Sequence, residues 1–177
     1  MEIKTFDISY LNKAKSLLKE VFFYENSDEY FNEWEFAENI LKSKGYIPEM
    51  CLVALEDGKV IGYNILTLAN IGQTEGLALG PLGVKAGYRN SGVGSHLVKE
   101  SIQRAKKAGY PWIVLMGGDY YFRFGFEKGQ IFNITATDND FDNAHIKILF
   151  LDDSSSANPY GKLAYCDAFY DSQGNLL

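Results

Sequence analysis

Leu79-Gly-Pro-Leu-Gly-Val-Lys-Ala-Gly-Tyr-Arg-Asn-Ser-Gly-Val-Gly-Ser95 decides the fold, because it reads as an apolar strand running through a glycine-rich turn into a helix. Leu79, Leu82 and Val84 supply the strand. Val93, Leu97, Val98, Ser101, Ile102 and Ala105 then recur at helical spacing, which starts a helix at the turn. The first turn of such a helix directs unpaired N–H groups and a partial positive charge into the loop, where an anion is the natural occupant. The missing side chains of Gly92 and Gly94 let a ligand approach the backbone.

Spacing separates the nucleotide-type readings of this loop. A Walker loop needs Lys and then Ser or Thr after its last glycine, but Gly94 is followed by Ser95 and His96. A Rossmann fingerprint needs a third glycine where Leu97 stands. Arg-x-x-Gly-x-Gly, from Arg89 to Gly94, does fit. A second strand, Trp112-Ile-Val-Leu-Met116, follows the helix, and then comes Tyr120-Tyr-Phe-Arg-Phe-Gly-Phe126. With both motifs in this order, the chain resembles the GNAT family of acetyl-coenzyme A-dependent N-acetyltransferases from at least Leu79 to Phe126. The ending Gly161-Lys-Leu-Ala-Tyr-Cys-Asp-Ala-Phe169 resembles the close of one branch of predicted N-acetyltransferases, as a last strand.

At 177 residues, with 46% hydrophobic and 15% aromatic content, the chain suits a single domain over 1–177 with an ample core. The charged start Met1-Glu-Ile-Lys and the lack of a long apolar run lead to the expectation of a cytoplasmic protein with no membrane partner. Seventeen Lys and Arg against 23 Asp and Glu leave a net charge of −6, which argues against nucleic acid as a partner. The same acidity means that an anionic ligand must find its cations locally, among Lys85, Arg89, Lys99, Arg123 and Lys128. Cys51 and Cys166 have no neighbours at metal-ligand spacing and read as buried small hydrophobes, so no metal is expected.

Along the chain, Glu2 to Thr5 reads as a strand, and Leu11, Ala14, Leu17, Leu18, Val21 and Phe22 mark a helix that Asp7 or Ser9 caps. A second helix is expected over Tyr30–Ser43, with Phe31, Trp34, Ala37 and Leu41 inward, and Pro48 begins a new segment. Met50–Leu55 and Lys59–Leu68 form a hairpin through Glu56-Asp-Gly58. Gln130–Thr135 and His145–Leu151 read as later strands, and the run from Asp152 to Pro159 as a surface loop.

The resemblance implies a mixed α/β fold. Its central, mostly antiparallel, twisted sheet is splayed at the cofactor strand, with helices on both faces. It implies direct attack of an amine on acetyl-coenzyme A in a ternary complex, the alternative being a non-catalytic acyl-coenzyme A binding or sensing module. Main-chain amides of Arg89, Asn90, Ser91, Gly92, Val93, Gly94 and Ser95 would bind the pyrophosphate, and Arg89 adds a formal charge. Pantetheine would lie along Leu82-Gly83-Val84. Pro81 donates no ladder bond and suits a broken ladder, and by the resemblance the N–H of Leu82 or Val84 would be the oxyanion donor. Tyr121 aligns with the tyrosine of Tyr-x-x-x-Gly-Phe that protonates the leaving thiolate in many members, with Tyr120 as fallback. Glu75, near the start of the cradle strand, is the candidate base. The histidines, His96 and His145, are assigned no role. Gly117-Gly118 stands where many members carry an Asn or Asp that holds pantetheine, and the nearest acid is Asp119. The acceptor is a small-molecule or peptide amine, and an acidic stretch from Glu25 to Glu38 would favour a cationic one. Monomer and homodimer both remain open.

Overall fold

The computed structural model describes residues 1–22, 32–152 and 159–177. Its elements are β1 (Glu2–Thr5), α1 (Leu11–Phe22), α2 (Glu33–Ile40), β2 (Tyr46–Glu56), β3 (Lys59–Ile71), β4 (Thr74–Leu79), β5 (Gly83–Val84), α3 (Val93–Lys107), β6 (Trp112–Met116), β7 (Glu127–Lys128), β8 (Ile134–Thr135), α4 (Asp140–Ala144), β9 (Ile146–Phe150) and β10 (Gly161–Tyr165). The sheet runs β1-β2-β3-β4-β6-β9-β7, with β5 and β10 also on β3, and β8 on β10. Among the described residues only the β4–β6 and β8–β10 pairings are parallel, so the sheet is mostly antiparallel, as the resemblance implies. No helix among the described residues is long and apolar enough to cross a membrane.

Alternation along the strands divides the core. On β2, Cys51, Val53 and Leu55 face α1 and α2, where they meet Leu17, Leu18 and Ile40. Leu52 and Ala54 face the other way, against Val93 and Leu97 of α3. Further along, Leu77, Ile113 and Leu115 pack beneath Ala105 of α3, and Ala78, Trp112 and Val114 face the cluster closed by Ile134 and Leu163. Helices therefore cover both faces. Burying a Leu97-sized side chain contributes on the order of 2 kcal/mol, so these faces fix the position of α3.

The Asp57-Gly58 turn joins β2 and β3 with both residues at positive φ, as its sequence predicts. Asp7 caps the entry to α1, accepting from the Ser9 N–H at 2.9 Å.

Several expectations change. Strand β2 starts at Tyr46 and passes through Pro48, because a register shift between Tyr46 and Cys51 removes the ladder bond that proline lacks. Helix α2 is shorter than Tyr30–Ser43 and buries Phe36, Ala37 and Ile40; Tyr30 and Phe31 lie outside the described residues. Gly129–Phe132 forms a 3-10 turn, and only Ile134–Thr135 of the expected strand pairs. The closing strand stops at Tyr165, and Asp167–Phe169 turns back toward α2. The loop expected from Asp152 to Pro159 lies mostly outside the described residues. Cys51 is buried, whereas Cys166 is half-buried.

Candidate functional site

The strand read from Leu79 to Val84 is interrupted at Gly80-Pro81-Leu82, as the missing N–H of Pro81 implies. Leu79 pairs with Leu66 and Gly83 with Tyr63, so four steps of this strand span three of β3. The surplus residue is a bulge, and it falls at Gly80-Pro81-Leu82, where Pro81 has no N–H to offer. On the other side, among the described residues, β4 pairs with β6 only at Leu77–Ile113 and Ala78–Val114, and β5 pairs with β3 alone. The sheet therefore opens between β5 and β6.

Two hollows flank this break. One is a cleft of about 490 Å³ whose lining includes Leu82, Val84, Arg89, Gly94, Ser95 and Tyr120. The other is a pocket of about 210 Å³ reached from Gly80 and Pro81. Consecutive residues, Pro81 and Leu82, thus face different hollows.

Helix α3 supplies the floor of the cleft. Gly92 is its N-cap at φ +91°, a left-handed conformation that favours glycine. His96 N–H makes the first intrahelical bond, to Gly92 O at 3.0 Å, so the N–H groups of Val93, Gly94 and Ser95 precede it and point out of the helix end. This narrows the expected donor run, since the Arg89 N–H already bonds Ala86 O at 3.3 Å. Asn90 holds φ +62°, and Ser91 Oγ donates to Tyr88 O at 2.6 Å, which shapes the turn. Arg89 and Arg123 supply the cleft's cations, Arg123 lying 4.6 Å from the Tyr120 ring centroid. Lys85 lines a separate groove beside α1. Lys99 and Lys128 are not among the cleft residues.

The paired tyrosines diverge. Tyr120 projects into the cleft, with its hydroxyl 3.2 Å from Ser95 Oγ. Tyr121 packs with Leu79, Leu115 and Phe126 under the opening of the sheet, and burial pushes its phenol up to about 12. A Cβ built on Gly117, the residue after β6, would stand 3.0 Å from the Tyr121 ring. The carbonyl of Gly117 accepts from Lys147, whose side chain is 3% exposed and also lies 5.0 Å from the Phe122 ring centroid. Burial lowers the Lys147 pKa. Asp119 points to solvent with its carboxylate 3.9 Å from Lys147 Nζ.

Glu75 is not brought to either hollow. It is exposed, opposite Asn70, and four residues of extended chain, about 13 Å, separate it from Leu79. The carboxylate that does reach the break is Glu33, the first residue of α2, in the lining of the smaller pocket. Its Oε2 is buried with no hydrogen-bond partner among the described residues, and burial pushes its carboxyl above the usual range. The acidic run containing Glu33 was visible in the sequence, but its other members at 25–31 lie outside the described residues. Among the described residues no group of three His, Cys, Asp or Glu is placed to hold a metal.

The site is thus a sheet opened at one strand with a helix N-terminus facing the gap, the arrangement of a mixed α/β fold that can receive an anionic ligand. The family model of the acetyltransferase (GNAT) family matches residues 11–126, and the chain belongs to that family. It is 36% identical over 92 residues to the uncharacterized N-acetyltransferase YhbS of Escherichia coli, covering 49% of this chain and 54% of that protein. The chain thus spans about half the length of the curated relatives it matches. The crystal structure of E. coli YhbS in complex with CoA superposes with a TM-score of 0.83 at 23% identity, covering 95% of this chain and 91% of that one. A Brucella melitensis GNAT family acetyltransferase in complex with acetyl-CoA superposes with a TM-score of 0.74 at 26% identity, covering 95% and 97%.

Proposed function

We propose that residues 1–177 form one N-acetyltransferase domain that moves an acetyl group from acetyl-coenzyme A to the primary amine of a small molecule or peptide. The observation that carries this reading is the break at Gly80-Pro81-Leu82, with an anion-directed cleft on one side and a smaller, aromatic-lined pocket on the other. The cleft fits the donor. Val93, Gly94 and Ser95 hold the pyrophosphate by main-chain N–H groups, Arg89 and Arg123 neutralise it, and Tyr120 adds a hydroxyl. Gly94 leaves room there, because a Cβ at that position would lie 3.1 Å from the Tyr120 hydroxyl.

Leu82 or Val84 then directs an N–H at the acetyl carbonyl. One such donor in a dry site lowers the barrier by about 3 kcal/mol as negative charge develops on oxygen. The acetyl donor supplies an activated thioester carbonyl. Tyr121 sits beside Gly117 at the end of β6, where the sheet opens, and gives its proton to the departing sulfur. Its raised pKa keeps the phenol protonated until a strong base forms beside it, and a thiolate buried there is more basic than one in water.

Titration calorimetry with acetyl-coenzyme A, ATP and NAD tests the cleft, and thiol release across a panel of amines tests turnover. Binding of acetyl-coenzyme A alone, with acetylated amine formed, is the expected result. Binding with no thiol release from any amine would make the chain a sensing module. Binding of ATP or NAD in its place would remove the reading.

A further inference from the structure

The smaller pocket has a composition unlike the cleft. Phe22, Phe36, Tyr165, Phe169 and Met116 contribute its walls, with Tyr165 and Phe169 stacked at 4.5 Å and Phe36 set edge-on to Phe169 at 4.7 Å. Burial raises the Tyr165 phenol, which leaves it neutral, so Glu33 is the ionisable carboxylate side chain among the described lining residues. Its Oε2 is shielded from water and has no partner among them. A buried carboxylate oxygen without a donor is costly, and a ligand that brings an N–H⁺ removes the cost. The pocket holds about 210 Å³, which admits a compact group and excludes a long branched one.

We propose that this pocket takes a primary amine carried on a compact apolar or aromatic body, with Glu33 as the carboxylate that pairs with its ammonium group and receives its proton. The inference rests on the acetyltransferase reading above and names the substrate class of that site. In water the amine arrives as ammonium. Glu33 takes one proton, freeing the nitrogen lone pair. Nitrogen then bonds the acetyl carbon, the carbon–sulfur bond breaks, and the sulfur is protonated. The second proton leaving nitrogen balances that one, and Glu33 passes its own to solvent. The floor of the pocket at Gly80-Pro81 adjoins Leu82, where the acetyl group would lie, so the amine has a short path to it.

Three probes separate the parts of this claim: 2-phenylethylamine has body and charge, 2-phenylethanol has the body alone, and spermidine has charge without the body. Calorimetric binding to the full chain is measured with and without acetyl-coenzyme A, alongside thiol release, for the wild type, Glu33→Gln and Glu33→Asp. The expected order is 2-phenylethylamine at least about tenfold tighter than either other probe. Glu33→Gln should abolish its advantage over 2-phenylethanol, leaving the affinities for 2-phenylethanol and acetyl-coenzyme A unchanged, and Glu33→Asp should restore part of it. Preference for spermidine, or an unchanged 2-phenylethylamine preference in Glu33→Gln, overturns the proposal. Should Glu33→Gln fail to fold, the wild-type comparison of the three probes still decides. Loss of acetyl-coenzyme A binding would sink the acetyltransferase reading while amine binding continues to report on the pocket.

Discussion

Tyr120 and Ser95 bring their hydroxyls within 3.2 Å of each other across the mouth of the cleft, tying the turn after β6 to the first turn of α3. The next residue, Tyr121, is turned into the core by its packing on Phe126 and Gly117. Adjacent tyrosines in a 3-10 turn point about a third of a turn apart, so one faces the cleft and the other the core.

The tyrosine pair therefore separates affinity from rate. Tyr120→Phe should weaken acetyl-coenzyme A binding by about tenfold, the scale of one hydrogen bond to a charged group. Tyr121→Phe should leave that affinity nearly unchanged and lower kcat roughly 10²-fold, the scale of a positioned acid. Calorimetry and steady-state kinetics on the two variants check it. If Tyr120→Phe lowers kcat and Tyr121→Phe does not, the assignments exchange.

Gly92 and Gly94 are required for different reasons. A Cβ at Gly92 meets only the His96 ring, at 3.4 Å, but φ +91° strains any L-residue. Gly92→Ala should cost about 1–2 kcal/mol and lower Tm by roughly 2–8 °C. Gly94 is helical, so Gly94→Ala should hold or raise Tm. Its Cβ reaches the Tyr120 hydroxyl and should weaken acetyl-coenzyme A binding several-fold. Thermal unfolding together with calorimetry distinguishes the two. Equal losses of Tm in both variants would show that neither glycine serves the ligand.

These residues also show what a sequence can reveal. Helix α3 and the Asp57-Gly58 hairpin were legible because their signals are local: apolar spacing in one, a positive-φ turn in the other. Pro81 pointed to a broken ladder because proline lacks a donor wherever it stands. The passage of β2 through Pro48 was not legible, since it depends on a register shift against β3. Glu33 was visible only as one member of an acidic run. It lines its pocket together with Phe36 and with Phe169, more than 130 residues away in sequence, and no local pattern reports such packing.

The two cysteines should react unequally. Burial pushes the Cys51 thiol up to about 12, and it lies 3.4 Å from the Tyr63 hydroxyl, inside the core. At pH 8 its thiolate fraction is on the order of 10⁻⁴, whereas alkylation requires thiolate and access. Half-buried Cys166 has the access. Iodoacetamide on the native protein should give one adduct, at Cys166, and a second only after denaturation, as read by peptide mass spectrometry. Early labelling of Cys51 would mean that the β2–β3 core opens readily.

Lys147 should matter although it lines neither hollow. It holds the Gly117 carbonyl from beneath, on a strand that pairs with β6, and Gly117 N–H bonds His145 O at 3.0 Å. The approach to the turn that carries Tyr120 and Tyr121 is thereby anchored at Gly117 through both its main-chain N–H and its C=O. Lys147→Met keeps the stem packed on Phe122 but leaves the carbonyl unpaired, at a cost of about 1–3 kcal/mol. Denaturant unfolding should show that loss. Because the tyrosine hydroxyls would then lose their positions, kcat should fall at least tenfold further than Tm alone predicts, measured well below the unfolding transition. A stable variant with normal kcat would show that the turn is held by its own packing and that the buried ammonium is dispensable.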